Sequence, residues 1–166
     1  IGALDRSEWQ PIFGARWRQR TGRVLVDGAG TGFGGRSLCL SQRPTPPLPF
    51  EVAVTVKLDD EAGAAGLAFH ADGGDRHYGF YPSAGQLRLS RFEGADVNSW
   101  AVLRQEPSEH YQPGDWNTLK VRLEKDKILC FVNGHLVIEA ASANPAGNRL
   151  GLAKFQRVAS LSGSSL

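Results

Sequence analysis

A chain of 166 residues with 41% hydrophobic residues is one ordinary domain, large enough to bury a core without disulfides or metals to staple it. A formal net charge of +2 lacks the basic excess of a nucleic-acid-binding face, so no nucleic-acid partner is expected. No apolar run approaches the ~20 residues that cross a bilayer, so no membrane insertion is expected either.

The chain has no Met and begins at Ile1, and it reads as a piece of a longer protein. Residues 1–13 read as an N-terminal extension, 14–160 as a β-domain, and 161–166 as a tail or linker toward a further domain, since Ser and Gly dominate the end. Residues 15–20 and 23–27 are the first expected strands. Period two puts Arg16, Arg18 and Arg20 on one side and Trp17 on the other; this basic face suits phosphate or anionic polysaccharide, and a charged face that protects a sheet edge is the simpler reading. Gly30-Thr31-Gly32-Phe33-Gly34-Gly35 formally fits Gly-x-Gly-x-x-Gly. A dinucleotide site needs a helix next, whereas Arg36 to Ser41 alternates as a strand and Pro44, Pro46, Pro47 and Pro49 follow. No cofactor is expected.

The clearest strand covers residues 50–58, where Phe50, Val52, Val54, Val56 and Leu58 alternate with Glu51, Ala53, Thr55 and Lys57. Residues 59–65 are the one candidate helical turn, limited by Gly63 and Gly66. Further strands are expected at 66–70, 77–81, 86–92 and 99–103. Residues 116–124, 127–132 and 136–140 form a three-strand meander. Its second hairpin turns at Asn133-Gly134, which suits two residues with φ > 0. A last strand covers 149–155. Short strands separated by Gly, Asp and Asn turns imply an all-β sandwich or barrel. Cys39 and Cys130 are read as two small buried hydrophobes, with a disulfide as the alternative in an oxidising compartment.

Several pieces recur in an order that resembles the laminin-G-like branch of the concanavalin A-like lectin and glucanase superfamily. They are Gly66-Leu67-Ala68-Phe69, Tyr78-Gly79-Phe80, Gly85-Gln86-Leu87-Arg88-Leu89, Trp116-Asn117-Thr118-Leu119-Lys120-Val121, Phe131-Val132-Asn133-Gly134 and Arg149-Leu150-Gly151-Leu152. The resemblance implies a two-sheet antiparallel jelly-roll sandwich, with sugar bound, where it is bound, on the concave sheet or its rim. It also implies an extracytoplasmic or secreted setting. The 3-keto-disaccharide hydrolase-like domain is similar too. Its Asn-Ser-Gly-x-x-x-Arg pattern corresponds here to residues 64–70, where the Asn, the Ser and the Arg are absent.

Retaining glycosidases need two carboxyls about 5–5.5 Å apart. The glucanase branch places them on one strand as Glu-x-Asp-x-x-Glu or Glu-x-Asp-x-Glu, and this chain has neither motif. The leading expectation is therefore a non-catalytic module that recognises carbohydrate. A glycoside hydrolase-like enzyme and a protein-interaction or spacer domain are the alternatives. Alternation turns Arg88, Ser90 and Phe92 away from a core that takes Leu87 and Leu89, and the neighbouring strand adds His77 and Tyr81. Trp100 and His70 complete the candidate ligand-binding patch. The loop from His70 to His77 carries Asp72 and Asp75 as weak metal candidates, for calcium or zinc, with Asp96 and Asn98 within possible reach; a polar hairpin tip is the simpler reading.

Overall fold

The alternating segments are strands in the computed structural model, which describes residues 2–20, 23–31, 35–58, 61–94, 99–142, 147–155 and 161–163. In chain order they are β1 (Gly2–Ala3), β2 (Trp9–Ile12), β3 (Gly14–Arg20), β4 (Arg23–Gly30), β5 (Ser37–Ser41), β6 (Phe50–Val56), β7 (Ala64–Ala71) and β8 (His77–Ser83). They continue with β9 (Gln86–Phe92), β10 (Trp100–Pro107), β11 (Asn117–Leu123), β12 (Lys127–Val132), β13 (His135–Ala141), β14 (Arg149–Phe155) and β15 (Leu161–Gly163). No α-helix occurs among the described residues. The expected helical turn is a plain turn at 61–62, and Ala64 already belongs to β7; Asp59 and Asp60 lie outside the described residues.

All pairings are antiparallel. Seven strands form one sheet in the order β10-β9-β8-β7-β14-β5-β2. Two four-stranded sheets, β13-β12-β11-β6 and β1-β3-β4-β15, pack on the same side of it. The shared core shows why. Val52, Val54 and Val56 of β6, Leu119, Val121 and Leu123 of β11, and Val24 and Val26 of β4 meet Leu67, Phe69, Tyr78, Phe80, Leu87 and Leu89 of the large sheet. These are the residues that period two turns inward. The meander follows the expected register, with β12 between β11 and β13. Its hairpin has Asn133 at φ 49° and Gly134 at φ 86°, the left-handed pair that an Asn-Gly turn supplies cheaply.

Residues that the sequence sets outside the sandwich also contribute strands to it. β1 pairs with β3, β2 pairs with β5 through Trp9↔Ser41 to Ile12↔Leu38, and β15 pairs with β4. These pieces are two to four residues long, too short for a periodic signal. Pro11 is tolerated in β2 because β2 is an edge strand, where a missing N–H breaks no ladder. Arg16 and Arg18 do lie on the face opposite Trp17, but β3 is not a sheet edge, since it pairs with β1 on one side and β4 on the other. Arg16 and Arg18 both reach Asp27, while Trp17 is buried and donates its indole N–H to Ser37 Oγ at 2.8 Å.

Cys39 and Cys130 are both buried in the main core as free thiols. Burial pushes the Cys39 thiol up to about 12 and the Cys130 thiol up as well, so neither is a nucleophile in the folded protein. Dithiobis-nitrobenzoate should therefore find no reactive thiol in the native protein and both thiols after unfolding in guanidinium. Absence of free thiol in the unfolded chain would contradict the packing.

Candidate functional site

The seven-stranded sheet has a second face, turned away from the four-stranded sheets. Its floor is made of small residues, including Ala64 and Ala68 of β7, Gly79 of β8 and Ala153 of β14. Large rings from neighbouring positions lie over that floor. A Cβ added to Gly79 would stand 3.3 Å from the Phe92 ring and 3.4 Å from the Tyr81 ring, so both cover its backbone. Phe155 packs on Tyr81 and Phe92, with centroid separations of 4.6 and 5.3 Å. Trp100 meets Phe92 edge-on at 4.5 Å. Together with Leu38, Leu40, Ile12 and Phe13, these rings form a second, smaller core.

One end of this face is closed by Arg36, whose side chain is 1% exposed. Its guanidinium donates to the Asp75 carbonyl at 2.7 Å and to the Asp75 carboxylate at 2.8 Å, and it lies over the Phe13 ring. It also donates to His77 Nε2 at 3.3 Å. The other imidazole nitrogen of His77 faces the Tyr78 carbonyl at 3.0 Å. A carbonyl only accepts, so Nδ1 carries the proton and Nε2 offers its lone pair to Arg36. The ring is neutral and stacked on Phe92.

The expected patch residues therefore lie at different depths. His77, Tyr81, Ser90 and Phe92 do share the outer face, but all four are buried. Tyr81 shares a hydrogen bond with Ser90 Oγ at 2.9 Å. Burial raises the tyrosine pKa, opposed by Ser90 and by the guanidinium of Arg88 beside it. Arg88 and Trp100 are half-buried and reach the surface. Arg88 Nε donates to Gln105 Oε1 at 3.0 Å, and Gln105 in turn donates to Gln86 Oε1. The result is a continuous polar strip: Ser90, Tyr81, Arg88, Gln105 and Gln86, running across β8, β9 and β10. Gln86 and Gln105 were missed from the sequence. Gln86 was visible by alternation with Arg88, but Gln105 follows a register shift between Val102 and Arg104 that hides its facing.

His70 departs from the patch. Its φ of 50° breaks the alternation at the end of β7, and its ring packs against Phe69 and Tyr78. It is 4% exposed, and its Nε2 has no hydrogen-bond partner. With Arg76, His77, Arg91 and Glu93 it lines a cavity of about 10 Å³, the size of one water. The two aspartates of the loop are occupied in holding it. Asp75 is bound to Arg36, and Asp72 accepts from the Gly74 N–H at 2.7 Å as an Asx-turn. No group of three or more His, Cys, Asp or Glu side chains poised for a metal occurs among the described residues. Asp96 and Asn98 lie outside those residues, as do Gly32, Phe33 and Gly34 of the glycine-rich loop.

Burial pushes the His77 pKa down to about 3, and burial also lowers that of His70. The unfolded chain exposes an ordinary imidazole titrating near 6.5. Below that pH the unfolded state binds a proton that the folded state refuses. Stability is thus intact above pH 6.5 and falls as the pH drops toward 3, by roughly 5 kcal/mol from His77 alone over the whole window. Thermal melts between pH 7 and 4 should show this loss, and His77→Gln, which keeps one donor and one acceptor, should flatten it. An unchanged slope would count against a buried neutral ring. Asp75→Asn should cost about 1 kcal/mol in the same melts, since the half-exposed carboxylate is screened and the Asp75 carbonyl still accepts from Arg36.

Solved structures that resemble this chain include a carbohydrate-binding module and a glucanase domain. The carbohydrate-binding module CBM66 from Bacillus subtilis superposes with a TM-score of 0.76 at 17% identity, covering 96% of this chain and 93% of that one. The catalytic domain of an endo-1,3-β-glucanase from Thermotoga petrophila gives 0.62 at 8% identity, with 99% and 91% covered. An uncharacterised protein from Mycobacterium paratuberculosis gives 0.64 at 9% identity, with 98% and 92% covered. At these identities the likeness establishes the fold, the antiparallel jelly-roll sandwich of the concanavalin A-like kind. No curated protein sequence matches the chain. A family model does match residues 5–158, nearly the whole length, and the chain belongs to that family, the 3-keto-α-glucoside-1,2-lyase-like domains.

Proposed function

We propose that this domain is a non-catalytic module that recognises carbohydrate along the β9–β10 ridge of its outer face, within a larger extracytoplasmic protein. The observation that carries this reading is the polar strip of Arg88, Gln105 and Gln86 on the same face as the half-buried Trp100 ring. An indole edge or face packs on the apolar side of a sugar ring, and amides and a guanidinium hold its hydroxyls. Trp100 pairs with Phe92 and Gln86 pairs with Pro107, at opposite ends of β9. Six residue steps along a strand are about 20 Å, room for an oligosaccharide. The neighbouring fold of a carbohydrate-binding module supports the ligand class. The extracytoplasmic setting rests on the laminin-G-like resemblance.

The non-catalytic part rests on how the ionisable groups nearby are used. Eliminating a substituent across C1–C2 of a 3-keto-glucoside needs a base for the C2 proton. Of the candidates, Asp75 is paired with Arg36, and Glu93 with Arg76 at 2.6 Å. His77 has both nitrogens engaged. The enzymatic reading keeps one specific support, the unpartnered Nε2 of His70. It predicts turnover of 3-keto-glucosides that His70→Ala abolishes.

Binding to a broad glycan array tests the first reading. Trp100→Ala and Gln105→Ala should each weaken the best ligand by about tenfold, which is about 1.4 kcal/mol. Leu136→Ser, an exposed position on β13, should not. A silent array with a folded protein would overturn the reading in favour of an interaction or spacer role.

A further inference from the structure

The proposed sugar strip carries one formal charge. Arg88 is bounded by the amides of Gln86 and Gln105 and by the hydroxyls of Tyr81 and Ser90, all neutral. Three other arginines on this half of the sheet are answered by carboxylates, whereas the exposed Arg104 of β10 has no ion pair among the described residues. Arg36 meets the Asp75 carboxylate at 2.8 Å, Arg76 meets Glu93 at 2.6 Å, and Arg91 meets Glu93 at 3.6 Å. Arg88 has no carboxylate within ion-pair distance among the described residues. Its Nε is instead fixed by the Gln105 oxygen at 3.0 Å, and Gln105 is itself fixed by Gln86. Neutral acceptors orient a guanidinium without cancelling its charge. That is the arrangement expected where the counter-charge comes from a ligand, because a planar fork held in place loses little freedom when a two-oxygen anion docks on it.

We infer that the strip selects sugars bearing an oxyanion, with a uronate carboxylate as the group that fits the Arg88 fork. This deepens the carbohydrate-recognition reading and rests on it. A sulfate ester presents related oxygens, so the two sources share one chemistry that experiment separates. The buried layer beneath contributes by holding still: Tyr81 is locked by Ser90 and Phe155, so the ground under Arg88 is rigid.

The test is calorimetric titration of the intact domain with oligomers of galacturonate, glucuronate and mannuronate, each beside its uncharged methyl ester, and with a sulfated galactan oligomer. At least one uronate should bind roughly tenfold or more tightly than its own ester. That preference should shrink between 50 and 500 mM salt. Arg88→Gln should cost the acid far more affinity than the ester, closing the gap between them, and Arg88→Lys should restore part of that gap. Tighter binding of the sulfated oligomer, also lost in Arg88→Gln, would keep the oxyanion and move its source to a sulfate. Equal affinity for acid and ester, or an equal loss of both in Arg88→Gln, would overturn the inference while leaving the carbohydrate reading intact. No binding by any charged or neutral glycan, with the melt of the protein unchanged, would overturn both.

Discussion

The seven-stranded sheet is apolar on both faces, and only one face has other sheets to cover it. Everything distinctive about this molecule follows from how the second face is kept from water. A third layer of strands would be one solution; here side chains do the covering. Small residues in β7, β8 and β14 make a low floor, and the rings of Tyr81, Phe92 and Phe155 fold over it from the neighbouring positions. A ring lying flat over a glycine buries its own area and shields the backbone under it. At the end of the sheet the cover includes a charge. Arg36 enters this apolar region only because Asp75 and the neutral His77 receive its protons there, and a buried cation without such acceptors would cost several kcal/mol.

Much of the architecture was readable from period two. Phe50 to Val56 and Asn117 to Leu123 bury alternate residues as read, and Asn133-Gly134 turns the hairpin between β12 and β13. The readable strands are those with one wet and one dry face, since only they alternate. β7 buries all eight of its residues, so nothing in its sequence says which side holds the larger core. The short strands β1, β2 and β15 fail for the opposite reason. They are held by a ladder to a partner far away in sequence, and their own residues carry too little pattern to announce it.

The candidate site was half legible for a related reason. Alternation states which way a side chain points and is silent about what comes to lie on top of it. It grouped His77, Tyr81, Arg88, Ser90, Phe92 and Trp100 correctly on one face. It could not know that Phe155 and Arg36, from distant parts of the chain, pack against His77, Tyr81 and Phe92. His70 was misread at a finer level. A left-handed φ of 50° at a non-glycine residue has no sequence signature, and it swings the ring toward Phe69 and Tyr78. The loop aspartates had an equally plausible chemistry as ligands until Arg36 appeared beside Asp75. Its partner lies 39 residues earlier, which no local motif reports.

Depth on the outer face therefore runs as a gradient along β9. At the Phe92 end the strand is sealed by His77, Trp100 and the Arg36 clamp. At the Gln86 end β9 pairs with Gln105 to Pro107 of the edge strand β10, and no comparable ring lies over it among the described residues. Ser90 and Arg88 are two residues apart on the same face and fall on opposite sides of that transition. A surface arranged this way separates two duties that are often mixed in one residue. The sealed half supplies rigidity, and the open half supplies polar groups whose positions are already fixed by that rigidity. Recognition by such a strip needs little reorganisation of the protein, so the free energy of each contact is spent on the ligand and not on ordering the site.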